Sequence, residues 1–388
     1  MDVKSTRQVH TELLMHSVKF AKDEQGRRKQ QEVLFKWPEI EKKLGEHKHI
    51  YVVDARLGSN NHTHRLWYDV IPPHTEEGQD WRTLGHRHTV EAIIYFLKGH
   101  GHSIIDGVRY DWGPGDLLSV PMFSWHRHIN DGNEPVLRIA STTGPLSLAL
   151  GQAVYEDERF PEFWIYAQEG EDARKTLIPG GGGQFDPSTR APARGHSLGI
   201  PRENRGVVLS ERSESKGDES GAPGLPGGLH NGNTANNRTA ELYAEQVAFA
   251  MHEEHLRRES KVLVKQKDLV FEPTPMGNLA YVVDPRIGFQ SKALGVVMAE
   301  IPPGKRSGAH RHLYDEIDLI VGGRGKVIVE DKEFEFDTLD VLAIPVFQWH
   351  QYFNTGTEPL RVLAINTRIA MDNLGLSLTH QGEKADYV

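Results

Sequence analysis

One pattern occurs twice in this chain, and the duplication limits the possible folds more than any other feature. YVVDARLG from Tyr51 matches YVVDPRIG from Tyr281, and IPPH from Ile71 matches IPPG from Ile301. After a six-residue gap around TEEGQDWRT, His86, His88, Gly99, Pro121, Trp125, His126 and Asn130 fall on His310, His312, Gly323, Pro345, Trp349, His350 and Asn354. EPVLRIA then meets EPLRVLA. A repeat of this length implies two copies of one fold. Within each copy the segments are short and apolar (AIIYFLKG, HSIIDG, DLLSVP, KVIVED, VLAIP) and are broken by Gly, Pro, Asp and Asn. That punctuation predicts an antiparallel sandwich or small barrel.

The chain's 388 residues are enough for two domains with their own cores. Each copy is preceded by a polar, partly periodic stretch, TRQVHTELLMHSVKFAKDEQGRRKQ and TAELYAEQVAFAMHEEHLRRES, expected as helices outside the barrels. Between the copies, residues 179–238 are dominated by Gly, Pro, Ser, Asn and charge, which predicts a mostly disordered linker or, alternatively, a long active-site lid. RFPEFWIY, just upstream, is aromatic enough to pack on the first barrel. The expected division is 1–178 for the first barrel with its leading helix, 179–238 for the linker and 239–388 for the second barrel.

A net charge of −9 leaves no broad basic face, so nucleic acid is not an expected partner. The absence of cysteine excludes disulfides, thiolate metal sites and cysteine nucleophiles. The N-terminus has no apolar core of signal-peptide length and no segment could span a bilayer, so a cytoplasmic protein without a membrane partner is expected. No nucleophilic triad or dinucleotide fingerprint stands out, and GKRSG at Gly304–Gly308 is too short for a phosphate loop.

The 21 histidines, several in close pairs, make metal binding worth testing. Residues two apart on a strand share a face, so His86 and His88 point together, as do His310 and His312. A third histidine, His126 or His350, arrives on another strand after a Gly/Pro frame. Three imidazoles meeting inside a barrel can hold a first-row divalent ion. Ala92 and Glu316 both lie four residues after the second histidine and so share the ligand face: Glu316 can ligate and Ala92 cannot. Glu91 has odd spacing and belongs to the other face unless a bulge intervenes. Three neutral histidines would leave the ion at +2 with three open positions, room for a bidentate substrate and O₂; adding Glu316 leaves +1 and two. Arg87 and Arg311 alternate away from the ligands and read as surface ion pairs. Trp125 and Trp349 read as packing residues, and Asn130 and Asn354 as turn holders.

These motifs resemble the cupin superfamily: glycine, HxH, a glutamate position and a glycine, then P-x-x-x-x-H with a later asparagine. Both motifs occur in both halves, over roughly residues 50–145 and 280–370, so the chain looks like a bicupin. That implies an all-β fold of two double-stranded β-helix (jelly-roll) barrels with flanking helices. HRHT at His86–Thr89, Ala92, Phe123 in place of a glycine and WHRHIN at Trp125–Asn130 resemble the gentisate 1,2-dioxygenase family, with its salicylate and 1-hydroxy-2-naphthoate relatives. The resemblance implies Fe²⁺ on His86, His88 and His126, and His128 as an assisting residue whose place Tyr352 takes in the second barrel. It also implies ring cleavage of a hydroxylated aromatic acid with O₂, in a homo-oligomer; for such an acid a cation is expected to meet the carboxylate, and Arg82, Arg109 and Arg127 are the candidates. The chain departs from that family in carrying a complete second set, His310, His312, Glu316 and His350. This leaves two alternatives open: a quercetinase- or oxalate-decarboxylase-like enzyme working at the second site, with manganese or another first-row ion, or a non-catalytic ligand-binding cupin.

Overall fold

The structure, a computed structural model, describes residues 6–73, 84–157 and 239–388. The 179–238 segment, RFPEFWIY and Arg82 lie outside the described residues. The two expected helices are present, α1 (Thr6–Gln30) and Thr239–Glu259, and a shorter α2 (Trp37–Glu46) buries Ile40 and Leu44. Among the described residues no helix is long and apolar enough to cross a membrane.

Among the described residues all strand pairings are antiparallel. The first copy contributes β2 (His49–Val53), β3 (Arg65–Ile71), β4 (His86–His88), β5 (Ala92–Lys98), β6 (Gly101–Ile105), β7 (Val108–Trp112), β8 (Leu117–Val120), β9 (His126–Asn130), β10 (Val136–Thr142) and β11 (Tyr155–Asp157). They form two facing sheets, β8-β5-β10-β3-β2 and β11-β4-β9-β6-β7. The second copy repeats this with β13 (Glu272–Thr274), β14 (Gly277–Val283), β15 (Gly295–Ile301), β16 (His310–His312), β17 (Glu316–Gly322), β18 (Gly325–Val329), β19 (Lys332–Phe336), β20 (Val341–Ile344), β21 (His350–Asn354), β22 (Leu360–Asn366) and β23 (Thr379–Gln381). Each half is thus a jelly-roll, as the cupin resemblance implies, and an antiparallel sandwich, as its punctuation predicts. Gly99 and Gly323 make the tight turn out of β5 and β17 at φ +87° and +82°; a Cβ on Gly99 would lie 2.8 Å from the Val136 side chain. Only glycine fits both the angle and the space.

Two remaining strands exchange the arms. β1 (Leu34–Phe35) pairs with β20 of the second half, and β12 (Leu263–Val264) pairs with β8 of the first. Val33 accordingly joins the second interior cluster and Val262 the first. Each arm is tied down in the same way: Lys36 Nζ to Asp340 at 2.8 Å and Lys265 Nζ to Asp116 at 2.8 Å. The central strands of the larger sheets, such as β5, β10, β17 and β22, have apolar residues on both faces. One face fills its own jelly-roll. The other packs across the interface, where Leu66, Tyr68, Ile93 and Ile139 share a cluster with Val296, Ile317, Leu319 and Leu363. A strand buried on both sides is close to continuously apolar, which is how AIIYF and IDLIV read.

Candidate metal centres

β4 and β9 run side by side with His86 opposite His126, and β16 and β21 with His310 opposite His350. That register, with the two-residue spacing, brings the first set together: one ligand atom each from His86, His88 and His126, all within 4.8 Å of one another. Nδ1 of these three rings lies 2.8–2.9 Å from the carbonyl oxygens of Leu84, Val90 and Ser124. A carbonyl only accepts, so Nδ1 carries the proton and Nε2 keeps its lone pair for the shared centre. Burial, then His86, depresses His88 to about 3; burial, then His86 and His88, holds His126 well below the ordinary histidine range. Both are neutral at pH 7, as metal ligands must be.

The turn that delivers each third histidine carries a non-glycine residue in the left-handed region, Phe123 at φ 66° and Phe347 at φ 64°. Arg87 and Arg311 stack 4.2 Å from those ring centroids and so cover the strained turns. Arg87 also pairs with buried Glu156 at 2.6 Å, the outward ion pair expected. Arg311 instead donates to His380 Nδ1 at 3.1–3.2 Å, so its expected ion pair is corrected to a hydrogen bond.

In the second set His310, His312, Glu316 and His350 likewise converge within 4.8 Å. His350 Nε2 faces His310 Nε2 at 3.1 Å, and Glu316 lies 3.5 Å from His312 Nε2. His312 Nε2 is buried without a hydrogen-bond partner. Burial works to raise the Glu316 carboxyl, but His312, His350 and His310 beside it pull it down to about 2; burial, then His312, lowers His350 to about 4. An ionised carboxylate among neutral imidazoles, with buried lone pairs facing one another, fits a divalent cation. Ala92 occupies Glu316's place in the first half: Ala92 is paired with Val120 and Thr142, Glu316 with Ile344 and Asn366.

Behind the histidines the two interiors differ. In the first half His128 is buried with Nδ1 2.7 Å from Ser103 Oγ, which accepts from Trp112 Nε1 at 2.9 Å. Arg138, 3% exposed, donates to Asp69 at 2.8 and 3.1 Å within the same interior. Burial, then the Arg138 charge, keeps His128 neutral. In the second half Tyr352, Val327, Val362 and Ala299 stand at these positions, and Tyr352 hydrogen-bonds to buried Asp318. The first interior therefore holds an arginine–aspartate ion pair and the second an extra acid.

Two of the three sequence-derived arginines, Arg109 and Arg127, are corrected here. Arg109 is 55% exposed on its side chain and bound to Asp111 and Asp131 on the outer face of β7. These acids and His102 could hold a metal ion, but the Arg109 guanidinium already bridges the carboxylates. Arg127 lies between His126 and His128 and so alternates outward, opposite Ile104. The cation that does face His128, Arg138, was missed. EPVLRIA and EPLRVLA place their arginines one step apart, which puts them on opposite faces; Arg361 accordingly pairs with Glu300 at the surface. Tyr155, stacked 5.5 Å from His86, was also missed. Asn130 and Asn354 hold their turns as expected, each donating to two carbonyls and accepting from a glycine N–H. Glu91 turns away from the metal face and into the second half, where it accepts from Leu294 N at 2.9 Å.

The family described as Cupin domain matches residues 69–141 and 297–366. The chain is similar to 5-aminosalicylate 1,2-dioxygenase of Comamonas sp., 32% identical over 78 residues, 20% of each protein. It is also similar to 1-hydroxy-2-naphthoate 1,2-dioxygenase of Nocardioides sp., 24% identical over 296 residues, 75% of this chain and 61% of that protein. The matches thus span less than two thirds of these relatives. Among solved structures, a salicylate 1,2-dioxygenase from Pseudoaminobacter salicylatoxidans, seen as adducts with gentisate, superposes with a TM-score of 0.54 at 15% identity, covering 98% of this chain and 96% of that one. Cupin domains are thus matched in both halves, one on each jelly-roll of this two-cupin arrangement.

Proposed function

We propose that the first half is a non-haem dioxygenase site that cleaves the ring of a hydroxylated aromatic acid of the salicylate or gentisate kind. The observation that carries this reading is the pairing of an all-histidine set, with Ala92 in the carboxylate position, and a buried arginine in the same interior. Nε2 of His86, His88 and His126 would hold the ion, Fe²⁺ by family resemblance. When bound, the ion would supply substrate chelation and the electron transfer that dioxygen chemistry requires. Arg138 draws the substrate carboxylate inward, with Asp69 fixing its direction. His128, its ring anchored through Nδ1 to Ser103, takes or returns the proton of the substrate hydroxyl. Ile94, Phe96 and Trp112 wall the interior with apolar surface and exclude water. Ring opening between the carboxyl- and hydroxyl-bearing carbons consumes one O₂ and adds both its atoms to the product.

The decisive experiment is oxygen uptake by the Fe²⁺-loaded protein with salicylate, gentisate and 1-hydroxy-2-naphthoate, with product mass measured alongside. Uptake with a gain of two oxygens is expected for at least one. No uptake with any of them refutes the reading. A second reading places the reaction at the complete second set, favoured by Asp318 and Tyr352 beside Glu316. Activity lost in Glu316→Ala but kept in His86→Ala would establish it.

A further inference from the structure

The residue before each metal-facing position reaches across the interface. Asp315, 5% exposed, precedes Glu316; its Oδ2 accepts from the backbone N–H of His62 and of Thr63, both at 2.9 Å, and from Thr63 Oγ1 at 2.5 Å. Glu91, 2% exposed, precedes Ala92 and accepts from the backbone N–H of Lys292, Ala293 (3.1 Å) and Leu294 (2.9 Å) and from Ser291 Oγ at 2.8 Å. The gripped loops correspond in the two copies: residues 61–64 lead into β3 and 291–294 into β15. Thr63 Oγ1 and Thr367 Oγ1 meet at 3.0 Å between the halves. Since Thr63 spends its one hydroxyl proton on Asp315, Thr367 donates to it.

Three donors converging on one buried oxygen favour an anion, whose charge strengthens each bond beyond what a neutral amide oxygen gives. Asp315 is also bonded directly to the chain at Glu316, and the loop it holds enters the strand that carries Trp67 and Asp69 into the first interior. We propose that Asp315 is a positioning residue for both metal centres: it fixes the ligand Glu316 in its own half and, across the interface, the β3 entry that orients Asp69 and Arg138. Glu91 holds β15 in the reciprocal direction.

The test uses the full chain. Co²⁺ alone is titrated into Asp315→Asn, Thr63→Val and Thr63→Ser, each combined with His126→Ala so that only the second set competes for metal. Asp315→Asn and Thr63→Val should weaken Co²⁺ binding about tenfold and shift its visible spectrum, as loss of a ligand's supporting hydrogen bonds does. Thr63→Ser, which keeps the donor, should behave like the parent. In the His126-intact proteins, salicylate affinity of the Co²⁺-loaded first set should fall severalfold for Asp315→Asn and Thr63→Val. This second arm rests on the proposed function, whereas the Co²⁺ arm does not. A parent that binds no salicylate therefore counts against that function and leaves Co²⁺ to decide Asp315. Should Asp315→Asn fail to fold, the Thr63 pair decides. Unchanged Co²⁺ affinity and spectrum in Thr63→Val, or equal losses in Val and Ser, would overturn the proposal.

Discussion

Ala92→Glu would give the first histidine set the carboxylate that the second already has. The pocket can accept it: Ala140 of the first half and Ala364 of the second hold the same place beside it, and Val120 stands where Ile344 does. Thr142→Asn, made alongside, would supply the amide that Asn366 offers Glu316 at 3.3 Å. Two effects of opposite sign follow. The ion gains a ligand and should bind more tightly. The acid substrate meets a new negative charge: at about 4 Å and an effective dielectric of about 20, two unit charges interact by about 4 kcal/mol. With about 1.4 kcal/mol per decade, that is about a thousandfold loss of affinity. Calorimetric titrations of Co²⁺, then of salicylate into the Co²⁺-loaded protein, measure both. Tighter Co²⁺ with salicylate affinity unchanged within about threefold would refute the reasoning, because the carboxylate would then be present without opposing the acid.

Arg138→Met alone should destabilise the protein by about 3–5 kcal/mol, because Asp69 is left charged and buried. Adding Asp69→Leu should restore most of that stability but not salicylate binding, as thermal melts and titrations would show. Val33→Ala, in the arm of the first half, should cost roughly 2 kcal/mol and loosen the second half, read as faster amide exchange in β20 rather than β8. The metal-free protein should lose stability on acidification. His88 and His350, lowered chiefly by burial to about 3 and about 4, and His126, His128 and His310, held well below the usual range, stay neutral when folded but take up protons near pH 6.5 when unfolded. The unfolded state then binds more protons, so stability is full above about pH 6.5 and falls toward pH 4, by up to about 1.4 kcal/mol per unit for each ring. Denaturant titrations between pH 7.5 and 5 check the sign, and a flat or rising profile on acidification would contradict the neutral assignment.

Both ligand sets and the contrast between Ala92 and Glu316 could be read from the sequence because they depend on strand parity, which is local. Parity also placed Arg87 outward. Applied to Arg127, flanked by two inward histidines, it would have excluded that residue. Arg109 and Arg127 were attractive only for their nearness in sequence to the cluster, and nearness along the chain says little about which strands face each other. Arg138 is 50 residues beyond His88 along the chain, yet its partner Asp69 is directly opposite it on β3. The exchanged arms were illegible for another reason. LF and LV are strands of two residues, too short to show any period, and their partners lie in the other copy. The reciprocal carboxylates are non-local in the same way: Glu91 could be assigned to the off-metal face, but nothing within the repeat names its partner.

Duplication explains how the two sites could diverge without losing the fold. The backbone frame is held by features that both copies share: the turn-holding asparagines, the positive-φ phenylalanines under arginine, and the carboxylates across the interface. The four differences that set the two interiors apart sit on inward faces, where substitution changes the chemistry of the interior and leaves strand pairing intact. His128, Ser103, Arg138 and Asp69 in one copy stand against Tyr352, Val327, Val362 and Ala299 in the other. A buried arginine is costly unless paired, so Asp69 and Arg138 are expected to come and go together, as they do between the copies. Charge complementarity then favours an anionic guest in the first interior. The second, with Glu316 held ionised and Val362 in the arginine's place, disfavours the same guest.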